Sequence, residues 1–217
     1  GFIHRFLPPP STADPSANTT LLLLHGTGGD ENDLIPLGRA LLPGASLLSV
    51  RGKVSEHGAA RFFRRLSEGV LDQPDLERRT HELATFVLGA SAAYGLRRDA
   101  VIAAGFSNGA NIAVSLLFRH PGLLRGAVLL SPMLPYEPQS LPDLKGTVVF
   151  IGAGRTDPLV PAVQVERLAS FLTDAGADVS LNWHADGHTI PGSVLDAASA
   201  WLQGVVHESE LIREHHR

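Results

Sequence analysis

Residues 100–118 read AVIAAGFSNGANIAVSLLF, and this stretch decides the fold. A short apolar run, a turn and a long apolar segment with helical spacing follow one another without a break. The turn carries Gly105, Ser107 and Gly109, the pattern G-x-S-x-G in the strand–turn–helix setting that gives it meaning. So sharp a turn strains the serine backbone, and side chains two residues to either side would collide, which is why both flanks are glycine. Ser107 Oγ is then expected to stand clear at a sheet edge, above a helix N-terminus whose dipole favours negative charge.

Outward from this stretch, further apolar runs stand at Thr20–His25, Ser46–Arg51, Gly126–Ser131 and Thr147–Gly152, with a weaker one at Val179–His184. The central runs (LLLLH, TVVFIG) are continuous rather than alternating, as in strands buried on both faces. Segments with helical spacing lie between them: Asp33–Leu42, Pro74–Tyr94, Asn108–Arg119, Pro161–Ala175 and Ser193–Leu202. Strand and helix alternate, so the expected class is α/β, an open and mainly parallel sheet with helices on both faces. A short N-terminal strand is expected before the stiff turn at Pro8-Pro9-Pro10. The whole chain, 1–217, is read as one domain, with a charged tail over 207–217 that should fray.

Composition narrows the function. The 217 residues include no cysteine, which excludes a disulfide scaffold, a thiolate zinc site and a cysteine nucleophile. With 18 Lys+Arg against 22 Asp+Glu, the chain lacks the basic surplus that nucleic acid or an anionic membrane demands. Apolar runs such as Leu21–Leu24 are far short of a bilayer span, and no basic-then-apolar leader opens the sequence. A cytoplasmic protein is expected; a homodimer is compatible with the sequence, which sets no oligomeric state.

A serine hydroxyl needs a base, and the base needs an orienting acid. In this architecture the chain order is Ser, acid, His. Asp157, in Gly154-Arg155-Thr156-Asp157-Pro158, and His188, in Asp186-Gly187-His188, each follow the C-terminal end of a predicted strand, the edge at which open α/β sheets build their sites. His184 is a rival base, less free to swing over Ser107 from its strand; Asp186 is a rival acid, and Asp174 and Asp178 read as exposed turn residues. Attack on an acyl carbon also needs N–H donors for the oxyanion. The loop His25-Gly26-Thr27-Gly28-Gly29-Asp30 and the residue after the nucleophile nominate the N–H groups of Thr27 and Asn108. The glycine spacing of that loop matches neither nucleotide-binding fingerprint. His184 and His188 straddle a strand end and a turn rather than sharing a helix face, and no H-E-x-x-H is present, so no metal site is expected.

HGTGGDEND, GFSNGAN, GRTDPLVP and DGH, in that order, make the chain resemble the phospholipase/carboxylesterase family of α/β-hydrolases, relatives of the acyl-protein thioesterases. The resemblance runs from about Thr20 to Leu202. It implies an α/β-hydrolase fold without a large cap domain, a Ser107–Asp157–His188 triad, an oxyanion hole at Thr27 and Asn108, no cofactor, and hydrolysis of small carboxylic esters. Thioesterase or lysophospholipase activity on the same fold, or a non-hydrolytic ligand-binding protein, are the alternatives. Two departures favour the bacterial carboxylesterase branch: Asn108 stands where the thioesterases usually carry Gln, and RGKVSEHGAARFFRR (51–65) replaces their Pro- and Trp-containing substrate loop.

Residues 52–73 break the rhythm and are expected to be an irregular, lid-like loop. If Arg61, Arg64 and Arg65 project towards the site, they would hold a carboxylate or phosphate on an anionic ester, with Phe62 and Phe63 forming an apolar wall. The other reading pairs these arginines with acidic residues of neighbouring helices.

Overall fold

A computed structural model describes the backbone of residues 1–214 and the side chains of residues 1–208. Seven strands form one sheet: β1 (His4–Leu7), β2 (Thr20–Leu24), β3 (Ser46–Val50), β8 (Val101–Phe106), β9 (Gly126–Leu130), β10 (Val148–Gly154) and β11 (Asp178–His184). Their order is β1-β3-β2-β8-β9-β10-β11; β1 is antiparallel to β3 and every other pair is parallel. Between β3 and β8 lie two small hairpins, β4 (Val54–Glu56) with β5 (Ala59–Arg61) and β6 (Arg65–Ser67) with β7 (Val70–Leu71). The helices are α1 (Ile35–Leu41), α2 (Gln73–Tyr94), α3 (Asn108–Arg119), α4 (Ala162–Asp174) and α5 (Gly192–Glu214).

The unbroken leucine run of β2 reflects two-sided burial. Leu22 and Leu24 enter the cluster that includes Leu83, Ile112 and Leu168, so α2, α3 and α4 cover one face. Leu21 and Leu23 enter the cluster that includes Leu41, Ala198 and Leu202, so α1 and α5 cover the other. All four leucines are fully buried. At roughly 1.5–3 kcal/mol for each fully buried leucine, a polar residue at any of the four would be severely destabilising. Local signals set the ends of α2: the Asp72 side chain caps it by accepting from Asp75 N–H, Pro74 occupies its first turn, and Gly95, at φ 67°, stops it in the left-handed region.

Two expectations change. Residues 52–73 are not irregular but fold as the two hairpins, each too short and too polar in pattern to register as a strand pair. The helix expected to end near Leu202 continues to Glu214, so His207 to Glu214 are helical rather than frayed; residues 215–217 of the predicted tail lie outside the described ones. Among the described residues no helix is long and apolar enough to cross a membrane.

After β3 the chain returns across β2 to begin β8, so the strand order reverses between β2 and β8. Ligand sites of open α/β sheets form beyond the carboxyl ends of strands at such a reversal. Leu24 pairs with Gly105, Phe106 with Leu130 and Gly154 with His184. The loops that start at residues 25, 107, 131, 155 and 185 therefore leave the sheet along one edge.

Candidate active site

Ser107 sits at the turn between β8 and α3 with φ 52° and ψ −114°, a strained conformation for a residue with a Cβ. Two hydrogen bonds hold it there: its N–H donates to Leu130 O (2.9 Å), and its carbonyl accepts from Asn111 N–H (2.9 Å). Flanking glycines are required by contact. A Cβ on Gly109 would lie 1.9 Å from Leu24 O, and one on Gly105 would lie 2.7 Å from the backbone of Gly109 and Ala110. Strand, turn and helix thus pack backbone to backbone beneath the serine.

His188 Nε2 lies 2.9 Å from Ser107 Oγ, and His188 Nδ1 lies 2.7 Å from Asp157 Oδ2. Asp157 is almost fully buried, and its other oxygen accepts from the N–H groups of Leu159 (2.8 Å) and Val160 (3.0 Å). A carboxylate held by two backbone donors faces the imidazole with a lone pair, so Nδ1 carries the proton and Nε2 is free to accept one from Ser107. The Phe106 ring packs against the imidazole, with centroids 5.2 Å apart. Of the rivals, His184 stays on its strand with both ring nitrogens buried and without a hydrogen-bond partner among the described residues, and Asp186 is exposed in the turn after β11.

Thr27 and Asn108 flank the serine, on the loop after β2 and at the first position of α3. Asn108 N–H has no carbonyl four residues back in its helix, as for any first-turn amide. In the Thr27 loop, Gly28 N–H donates to Ala60 O (2.9 Å) and Gly29 N–H to Gly26 O (3.1 Å), whereas no bond engages Thr27 N–H among the described residues.

The loop is locked from below by His25, which is buried. Its Nδ1–H donates to Gly26 O (2.6 Å) while Nε2 accepts from Gly52 N–H (2.9 Å). Only the neutral imidazole can do both. Burial drives the His25 pKa below its ordinary value, outweighing the Gly26 carbonyl and nearby Asp33 and Asp30. Sequence reasoning placed this residue at a strand end and the head of the glycine loop, with no role of its own.

The first hairpin braces the same loop from above. Arg61 NH1 donates to Thr27 Oγ1 (2.7 Å), and its Nε faces Phe63 O (3.2 Å) and Glu56 (3.4 Å). Phe62 N–H donates to Asn108 Oδ1 (2.7 Å). Burial lowers the pKa of the Arg61 guanidinium, and Glu56 opposes that shift.

A pocket of about 240 Å³ opens over Ser107, and Thr27, Arg61, Arg65, Asn108 and His188 are among its lining residues. Three of the five substrate-side candidates from the sequence are absent from it. Phe62 and Phe63 are fully buried in the core on the α2 side rather than forming a substrate wall, because their chain segment is drawn inward by Asn108 and Asp75. Arg64 turns away: its N–H donates to Asp75 Oδ2 (2.8 Å) and its guanidinium lies 3.0 Å from Asp72. Asp75 is held ionised against its burial by Arg78, Arg64 and Arg79. Ser131, Met133 and Leu159 also line the pocket and were not singled out from sequence. For Ser131 a signal existed, since it directly follows an apolar strand at the same sheet edge.

The mainly parallel sheet, the strand–serine–helix turn and the helices on both faces define an α/β-hydrolase. A sequence profile described as Phospholipase/Carboxylesterase matches residues 65–206, and the chain belongs to that family of hydrolytic enzymes. It is 48% identical over 191 residues to "Putative hydrolase MhqD" of Bacillus subtilis (strain 168), covering 88% of this chain and 96% of that one. The Bacillus cereus carboxylesterase crystal structure aligns with a TM-score of 0.90 at 43% identity, covering 94% of both chains. The structure of YahD with malic acid aligns with a TM-score of 0.87 at 26% identity, covering 94% of this chain and all of that one.

Proposed function

We propose that the protein is a serine carboxylesterase for small esters, acting through a Ser107–His188–Asp157 triad. The observation that carries this reading is the continuous hydrogen-bond relay from Asp157 through His188 to Ser107. His188 Nε2 takes the Ser107 proton as Oγ attacks the ester carbonyl, and Asp157 holds the tautomer and stabilises the imidazolium. The N–H groups of Thr27 and Asn108 receive the developing oxyanion. His188 then protonates the departing alcohol, and a water activated by the same imidazole hydrolyses the acyl-enzyme. Every step is served by side chains and backbone, with no cofactor. A pocket of about 240 Å³ favours short acyl groups over lipid chains, since sites enclosing drug-sized ligands run to roughly 300–1,000 Å³.

Arg61 and Arg65 line the pocket and share Glu56 as partner, two guanidiniums on one carboxylate. Glu68, exposed on the rim, is the one acid lining it among the described residues. This supports an ester that carries an anionic group, and a related protein crystallised with malic acid is consistent with that class. Ser107→Ala should lower hydrolysis of p-nitrophenyl butyrate by about 10⁴-fold or more with the thermal melt unchanged. Wild-type turnover in that variant, or failure of the native protein to react with an active-site serine probe, rejects the reading.

A further inference from the structure

Two polar groups in the pocket wall have no hydrogen-bond partner among the described residues. Asn108 is 2% exposed, and its Oδ1 is taken by Phe62 N–H. A backbone donor can meet only the oxygen of that amide, so the orientation is set and Nδ2 points elsewhere, buried and unpaired. Ser131 is 1% exposed, and its Oγ is likewise buried and unpaired. Its backbone is also costly, with φ 49° in the left-handed region, held by donation of its N–H to Gly152 O (2.8 Å). Both residues line the pocket over Ser107 and adjoin the serine, Asn108 as the next residue in the chain and Ser131 as the next residue after Leu130, whose carbonyl holds Ser107 N–H. An unpaired buried donor and a strained backbone each oppose folding, and their coincidence at one pocket marks a place where a ligand supplies the missing partner.

The geometry points to a polar subsite, Asn108 Nδ2 with Ser131 Oγ, that binds a second acceptor oxygen on the acyl part of the substrate. The side of the ester follows from the reaction. His188 must reach the leaving oxygen, so the alcohol lies towards the imidazole. Asn108 bears the N–H that receives the carbonyl oxygen, so its amide adjoins the acyl group. The substrate class is therefore esters of short acids bearing a hydroxy or oxo group on the second or third carbon. An unsubstituted acyl chain would leave both groups unpaired. This rests on the serine esterase reading above and deepens it.

The test compares p-nitrophenyl butyrate with the p-nitrophenyl esters of 2-hydroxybutyrate and 3-hydroxybutyrate, each as separate enantiomers, in wild type, Ser131→Ala and Ser131→Gly. The glycine variant removes the same hydroxyl while accepting the positive φ, so at least one variant remains foldable. The readout is the ratio of kcat/KM for hydroxy ester over butyrate, and comparing variant with wild type cancels intrinsic ester reactivity. Expected is a lowering of that ratio by roughly three- to ten-fold for one hydroxy ester, the effect of a lost uncharged hydrogen bond, with one enantiomer preferred in wild type. Ratios that the variants leave unmoved for both hydroxy acids overturn the subsite while the esterase reading stands. No turnover of any ester by wild type overturns both.

Discussion

Two hairpins of nearly equal length follow one another between β3 and α2, and they have opposite relations to the molecule. The first, Val54–Arg61, ends in a buried arginine and runs on into two fully buried phenylalanines. It contributes the Ala60 carbonyl to Gly28, the Arg61 guanidinium to Thr27 and, just beyond it, the Phe62 N–H to Asn108. Both residues proposed to hold the oxyanion are thus tethered to one strand. In the second, Arg65–Leu71, Leu66 is 73% exposed and Val70 50% exposed, and its register slips between Arg65 and Ser67. Its side-chain anchor is the Arg65–Glu56 pair, a partly exposed contact of the kind that contributes little. The first hairpin braces the proposed reaction centre, and the second is a rim over the pocket, from the low-stability end of the fold.

The largest way to break the comparison is truncation of one apolar residue from each region, Phe63 just beyond the first hairpin and Leu66 within the second. Phe63→Ala should destabilise by about 3–5 kcal/mol in a urea melt, whereas Leu66→Ala, three residues on, should stay within about 0.5 kcal/mol. Equal costs would mean that the second hairpin is packed as tightly as the first. Next in size, Arg61→Ala should lower kcat/KM for a neutral ester by about 10–100-fold, since it unties Thr27 and leaves the Phe63 carbonyl without its donor. Arg61→Lys should not rescue it, because one ammonium cannot reproduce the planar fork. Arg65→Ala should spare neutral esters and raise KM for an anionic ester several-fold, by about the value of one exposed charge pair; matched kinetics on the two esters separate these outcomes.

A smaller effect concerns the lock beneath the loop. The folded-state pKa of His25 lies below its unfolded value near 6.5. As pH falls, the unfolded chain therefore takes up the proton first. This contribution to stability is complete above about pH 6.5 and declines as pH drops towards the folded pKa. Urea midpoints between pH 7.5 and 5.5 should fall more steeply for wild type than for His25→Gln; parallel slopes would remove His25 from the account.

Much of the scaffold was legible because its signals are local. Continuous apolar runs announced strands buried on two faces, and the ends of α2 were readable from Pro74 and Gly95. The glycines around Ser107 are explained by the same close backbone approach that the sequence implied. His188 and Asp157 were reachable from chain order and from their place just past strand ends, and they lie within hydrogen-bond distance of one another, with His188 also within reach of Ser107. The segment 52–73 was not legible. Its strands are two or three residues long, too short for periodicity to register, and its arginines looked alike.

Sequence alone determined which residues would leave the sheet along one edge, because burial pattern and turn chemistry act within a few residues. Tertiary structure decided what those residues met. Arg61 and Arg64 differ in fate, one beside Thr27 and the other beside Asp72 and Asp75, because those partners come from different elements. Phe62 and Phe63 became core rather than pocket wall because the backbone between them is pulled in by Asn108 on one side and Asp75 on the other. Buried polar groups must find partners wherever the fold presents them. That requirement acts across the whole chain, and no local pattern encodes it.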